Sequence, residues 1–381
     1  MLERGTIAIP EFTLDVHRAM PADWPGIRSS GQARAHVFQT REFLTIWAQT
    51  FGTALAVDAR FIDVRDGNGA LVLRIPLAIE TRRGVRILSF ADHSCADYNA
   101  PIVYPNAIDW TADRAQSLWR AIEAALPPVD IVRLEKVPAM VGDLVNPLHL
   151  LGEAANPESA HGSNMRLAWP EIEATQAQLK TLKRKARGLQ KLGEVKFTVA
   201  SDKAERDRIL SKLLQQKQRR YEDTRVPGFA ENPMQKRFFE IATEDFAALG
   251  NLHLSALEVG REIIATNWSV SMGRTIYELM IGFESGEWVK HSGGRILNLR
   301  FLEWAKAQGF DYVDHGIGDE DWKIDNCDTH VPLGLLVAAR SAKGRRALAR
   351  DAFMARLRGS AAYQRLRPYK WIVKRALRRA A

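Results

Sequence analysis

Lys290-His291-Ser292-Gly293-Gly294-Arg295 stands between a β-branched, aromatic run, residues 275–283, and an apolar stretch of helical spacing that closes at Gly309. Paired glycines let backbone N–H groups approach a ligand closely, and Ser292 has the side chain of a helix N-cap. A helix N-terminus carries partial positive charge, to which Lys290 and Arg295 add whole charges. Together these residues suit a pyrophosphate. They equally suit a surface turn that only caps a helix, so the flanking elements decide between the two. A second collection of reactive types is Asp92-His93-Ser94-Cys95-Ala96-Asp97-Tyr98, with a thiol, an imidazole, carboxylates and a phenol. It invites a Cys–His nucleophile reading.

The elements around the loop follow from periodicity. Three strand-like runs, 252–259, 262–272 and 275–283, are joined by Gly260-Arg261 and Gly273-Arg274, which are hairpin links. Leu297, Phe301, Trp304 and Gln308 then recur at helical spacing, Gly309 sits at the C-cap, and 310–316 reads as another strand. A rough echo of this order lies upstream. Three strand-like runs span 59–64, 70–79 and 87–90, followed by a helix over about 111–126 and a strand at 130–135. Asn106 to Asp109, before that first helix, contains no glycine pair. Gly, Ser, Asn and Pro between Gly152 and Pro170 read as a linker. Two basic helices are expected next, over 171–192 and 202–221, their cations facing either water or an anionic substrate.

Meander, phosphate loop, helix and strand, in that order, resemble the GNAT acyl-CoA-dependent acyltransferase core. Lys290, Gly293 and Arg295 stand at the places of that superfamily's loop signature, and the last of these departs from its usual Gly or Ala. Within it, the chain most resembles the CelD-like family linked with cellulose and exopolysaccharide clusters. Ser292-Gly293-Gly294, the segment Tyr312 to Lys323 and the basic start at Leu182 to Arg187 carry that resemblance. It implies an α/β (α+β) fold of tandem GNAT-like domains, each a mixed, mostly antiparallel sheet flanked by helices. The expected divisions are residues 1–160 with a degenerate cofactor site, 161–334 as the acyltransferase domain, and 335–381 as a basic helical tail.

It also implies direct transfer of an acyl group, acetyl first, from coenzyme A to an amine or hydroxyl of a saccharide or envelope precursor, with no metal. The cofactor would lie against Lys290, His291, Ser292, Gly293, Gly294 and Arg295. Asp319 would orient the acceptor or act as general base, with His315 and His291 as alternative bases. Tyr277 would protonate the leaving thiolate, and Lys323 would contact an anion or the substrate. Asp97 and Tyr98 would line the acceptor side, which displaces the covalent Cys95 reading. Trp268 and Glu278 would shape the acceptor pocket. Two rivals stand beside this: a Fem-type aminoacyltransferase fed by aminoacyl-tRNA, which shares the tandem architecture, and a non-catalytic scaffold for polysaccharide synthesis.

Composition agrees with a folded enzyme. The 381 residues are 46% hydrophobic, and the two cysteines, Cys95 and Cys327, form no CxxC. A disulfide framework or a zinc cluster of cysteines is therefore not expected. The first residues lead into no long apolar run, so a cytoplasmic protein is expected, peripheral to the inner membrane if its tail binds lipid. Residues 335–381 hold 14 Lys or Arg against one acid, Asp351, more than the net +9 of the whole chain. The body is thus net acidic and the basic character belongs to the tail. There Tyr363, Tyr369, Trp371, Ile372 and Val373 interleave with the charges, which suits an anionic membrane surface ahead of nucleic acid.

Overall fold

The computed structural model describes residues 5–9, 11–29, 31–152 and 154–359. Two large mixed sheets, nine- and seven-stranded, organise it. In the first, Asp58–Asp66, Leu71–Arg82 and Val85–Phe90 form an antiparallel meander. Helix Ala112–Ala125 follows, and Ile131–Pro138 then pairs in parallel with Val85–Phe90 at Ile87–Ile131 and Leu88–Val132. The second sheet repeats the order. Leu252–Val259, Glu262–Met272 and Thr275–Phe283 form the meander, with Gly260 and Gly273 taking the positive φ that its two tight turns need. Helix Gly293–Ala307 leads to Tyr312–Ile317, which pairs in parallel with Thr275–Phe283. The two similar modules match the expected tandem arrangement.

The helix on each module packs where its apolar stripe predicts. Leu118, Trp119 and Ile122 lie against Leu88, Val132 and Leu134 of the first sheet. Phe301, Leu302 and Ala305 lie against Ile276 and Val313 of the second. Thr111 caps the first helix by accepting from the Arg114 N–H at 3.3 Å.

The chain passes into the second sheet at Ala160 and returns to the first at Leu333. Ala160–Asn164 is inserted into the second sheet, between Tyr312–Ile317 and Thr329–Val331. Leu333–Ala339 returns to the first sheet and pairs antiparallel with Ile131–Pro138. This corrects the expected linker. The stretch from Gly152 to Pro170 is polar and glycine-rich because its strand is packed tightly: a Cβ on Gly162 would collide with the Tyr312 hydroxyl. The expected tail begins with strand residues 335–339 and continues as helix Ala342–Gly359, whose Ala347 and Leu348 pack on Val85 and Ile131. The aromatic part, with Tyr363, Tyr369 and Trp371, lies outside the described residues. None of the described helices is long and apolar enough to cross a membrane.

One core joins the halves. Phe38, Phe43 and Tyr98 of the first are buried with Phe238, Trp268 and Tyr277 of the second. Phe43 and Phe238 lie 5.1 Å apart, and Phe38 meets Tyr277 edge-on at 5.6 Å.

Candidate active site

The site begins where a ladder stops. Thr275–Phe283 and Tyr312–Ile317 pair from Thr275–Tyr312 to Tyr277–Asp314 and no further. Beyond that point the strands part, and a cleft of about 690 Å³ is lined by 278–283 on one side and by His315 and Ile317 on the other. Backbone groups facing such an opening lack a strand partner, and a buried unpaired carbonyl is costly. Lys323 supplies a partner for two of them: its Nζ donates to the carbonyls of Ile317 at 2.7 Å and Gly316 at 3.4 Å. Lys323, expected as a substrate contact, lines the cleft, and its ammonium is also paired with Glu320 at 3.3 Å.

The start of helix Gly293–Ala307 closes one end of the cleft, and Ser292, Gly293, Gly294 and Arg295 line it there. A Cβ on Gly293 would come within 3.2 Å of Ile264 Cδ1, and one on Gly294 within 3.3 Å of Phe283 Cδ1. The glycines thus let the helix end sit directly on the sheet, with its first N–H groups at the cleft. Three expectations at this loop need correction. Ser292 occupies the N-cap position in a left-handed conformation and makes no side-chain cap; its Oγ accepts from Lys185 Nζ at 2.7 Å. Lys290 and His291 belong to the preceding 3-10 turn, Gly286–His291, and do not line the cleft. The Arg295 guanidinium is turned back to Asn326 Oδ1 at 2.8 Å and to the Ala177 carbonyl. The charge brought to Ser292 is that of Lys185, from helix Leu179–Leu189.

Within the cleft wall, Glu278 and His315 form a buried pair. His315 Nδ1 lies 2.8 Å from Glu278 Oε2, both side chains about 1% exposed. A carboxylate oxygen accepts, so in this contact His315 donates from Nδ1, and Nε2 is the ring nitrogen left to accept. Nε2 lies 3.2 Å from Ser163 Oγ, and Asn267 Nδ2 donates to the other Glu278 oxygen at 2.5 Å. A register irregularity between Trp268 and Ser269, opposite Met280 and Glu278, sets this part of the strand. Sequence reasoning named both residues, but in separate roles. The two are 37 positions apart and only the parallel pairing brings them together.

Helix Lys203–Thr224, capped by Asp202, forms another wall with Gln216, Lys217 and Arg220. Burial pushes the Lys217 ammonium below its ordinary pKa, while the Glu320 charge opposes the shift. Two other cations of this helix are engaged by one carboxylate: Lys212 at 2.8 Å and Arg219 both pair with Glu284. Asp97 also lines the cleft, and burial raises its carboxyl to about 6 against the pull of Lys136 and Lys323.

The remaining expected residues lie elsewhere. Asp319 is exposed, outside the cleft lining, and bonded to His161 Nε2 at 2.8 Å, which holds its carboxyl below the ordinary value. That weakens it as a base. Trp268 is fully buried and donates to Thr243 Oγ1 at 2.9 Å, so it is a core residue. Tyr277 is buried at the junction of the halves, and burial raises its phenol well above the ordinary value, which disfavours deprotonation but not donation. Tyr98 donates to Asp314 Oδ2 at 2.7 Å and stacks on His36, behind the cleft and not in it. Burial raises the Cys95 thiol well above its ordinary value, as it does not in an activated nucleophile.

The stretch that holds the opened parallel pair and the helix N-terminus at its mouth is matched by a family model. Residues 176–324 match an acetyltransferase (GNAT) domain. That stretch has the GNAT fold. Among solved structures, FemX superposes on this chain with a TM-score of 0.51 at 10% identity, covering 80% of this chain and 90% of that one. L-PGS from Bacillus licheniformis gives 0.45 at 12% identity over 84% and 96%. A tandem GNAT protein from the clavulanic acid biosynthesis pathway gives 0.43 at 10% over 75% and 84%. No curated protein matches the sequence. The CelD-like assignment is not among these findings; the GNAT fold is.

Proposed function

We propose that this chain is an acyltransferase that moves an acyl group, by direct attack, from a phosphate-bearing carrier to an amine or hydroxyl of a saccharide or other envelope precursor. The observation that carries the reading is the cleft between residues 278–283 and 315–317. It has a helix N-terminus at one end and the Glu278–His315 pair in its wall. Open backbone groups and the helix end suit the carrier, and the acyl carbon is held where the strands part. The acceptor approaches past Asp97 and Lys217. The Glu278–His315 pair takes its proton as the new bond forms; the bond between the acyl carbon and the carrier breaks, and the carrier leaves as its thiol or hydroxyl with that proton.

Two carriers fit this chemistry. Likeness of fold to FemX over most of both chains favours an aminoacyl donor of the Fem type, an ester on tRNA. The glycine pair at the helix start and the GNAT domain match favour acetyl-CoA or another acyl-CoA as the second reading. Work at the cytoplasmic side of the inner membrane is consistent with either carrier and with the basic tail.

Calorimetry with acetyl-CoA and with a non-hydrolysable aminoacyl-tRNA analogue separates the donors. The expected result is one donor binding to the wild type and losing affinity in Gly293→Asp, which sets bulk and negative charge at the helix start. If folded protein binds neither, the transferase reading fails and a scaffold role replaces it.

A further inference from the structure

Away from the cleft, the geometry points to a second site: a divalent transition-metal site built from His161, Asp319 and His330. One ligand atom from each of these residues lies within 4.8 Å of the other two. The backbone arranges them without strain. His161 and His330 are direct cross-strand partners, in Ala160–Asn164 and in the edge strand Thr329–Val331. Partners in that register on one face have Cβ atoms about 5 Å apart, and the two imidazoles stand with centroids 5.2 Å apart. Asp319 reaches them from the loop after Ile317, with its Oδ1 2.8 Å from His161 Nε2 and 3.3 Å from the Ser159 N–H.

The pairing of the His161 strand with Tyr312–Ile317 is irregular between Ala160 and Gly162, and the extra residue lies on Tyr312–Ile317, so His161 keeps its place opposite His330. The His161 imidazole is buried, while Asp319 and His330 are exposed, so the three meet at the surface. Ligand atoms of one tetrahedral ion at about 2.0–2.1 Å lie roughly 3.3–3.5 Å apart, which small side-chain rotations reach here.

Two imidazoles and one carboxylate select the ion. Calcium and magnesium take oxygen ligands, whereas zinc, cobalt and nickel accept this set. Three protein ligands leave at least one coordination position for water or an anion. The ion replaces the His161–Asp319 contact, and it ties the loop 316–320 to the edge strand. Because Trp322 and Lys323 follow that loop and line the cleft, the ion holds the cleft rim in place.

The test uses the untagged full chain. Cobalt(II) titration of wild type is expected to give a visible ligand-field band that saturates at one ion per chain. Zinc is expected to displace it and to raise the melting temperature. His330→Ala, at an exposed position, is expected to fold normally, to lose roughly tenfold or more in cobalt affinity, and to lose the zinc-dependent shift. Asp319→Asn is the second variant and should weaken binding likewise. Absence of a band and of a zinc-dependent shift in wild type would overturn the site, as would a band of unchanged affinity in both variants.

Discussion

At the scale of single residues, burial sorts the candidate groups more sharply than their types do. Glu278 and His315 share a wall of the cleft and a 2.8 Å contact, so replacing either breaks one unit. Glu278→Gln is expected to bind donor as wild type does and to lower turnover by about 10²–10⁴-fold, the scale of a lost general base. His315→Asn should fall as far, and the double variant little further. Single-turnover transfer, with circular dichroism to check folding, measures this; additive losses would mean that the two act separately. Asp314, one residue before His315, supports a different prediction. Burial raises its carboxyl to about 7, while the Tyr98 hydroxyl bond pulls the other way. The folded chain therefore holds this proton more tightly than the unfolded chain, whose group titrates near the ordinary 3.8. Its contribution to stability is complete below about 4 and is lost as pH rises through about 7. Asp97, raised to about 6, adds a slope of the same sign. Melting temperature should therefore decline between about pH 4 and 7, and Asp314→Asn should flatten part of that decline. An unchanged slope in the variant would place the titration elsewhere.

At the scale of elements, the helix Gly293–Ala307 shows what sequence could and could not supply. Its apolar spacing, its stop near Gly309 and the strands on either side were readable, because each depends on neighbours a few residues apart. The left-handed turn at Ser292 and its bond to Lys185 were not, since the two residues are 107 positions apart and meet only when Leu179–Leu189 packs beside the loop. For the same reason the charges of Lys290 and Arg295 were visible in the sequence and their directions were not. The strand Ala160–Asn164 was missed because glycine and polar residues mark loops as a rule, whereas here they fit beneath Tyr312. Lys185→Met tests the corrected loop. It removes a cation from the mouth of the cleft while keeping the aliphatic stem, so donor affinity should drop about tenfold with melting temperature nearly unchanged. Gly294→Val tests the close approach, because its side chain must displace Phe283. It should weaken binding and also destabilise the fold by roughly 1–3 kcal/mol, the usual cost of overpacking. Calorimetry and denaturant titration on the same samples distinguish the two outcomes.

At the scale of the whole molecule, the repeated topology suggests two units, but the connections make them one. The chain leaves the first sheet after Ala155, builds the second from Ala160 onward, and then returns Leu333–Ala339 to the first. The apolar core between them holds Phe43 against Phe238 and Phe239 against Trp268. Severing the halves would leave Ile131–Pro138 as an open edge and expose that core, a combination that favours aggregation. Cooperative unfolding follows, even though a 381-residue chain often unfolds in steps. Phe238→Ala, at a fully buried position in the shared core, should cost about 3–5 kcal/mol. That loss should register equally in both sheets, although the substituted residue belongs to the second half. Hydrogen exchange read on peptides from Ile131–Pro138 and from Tyr312–Ile317 follows the two sheets separately through a denaturant series. Protection in both should fall together at one midpoint, shifted in parallel by the substitution. A shift confined to the Tyr312 peptide would show that the halves are independently stable, and that the returning strand links two domains without merging them.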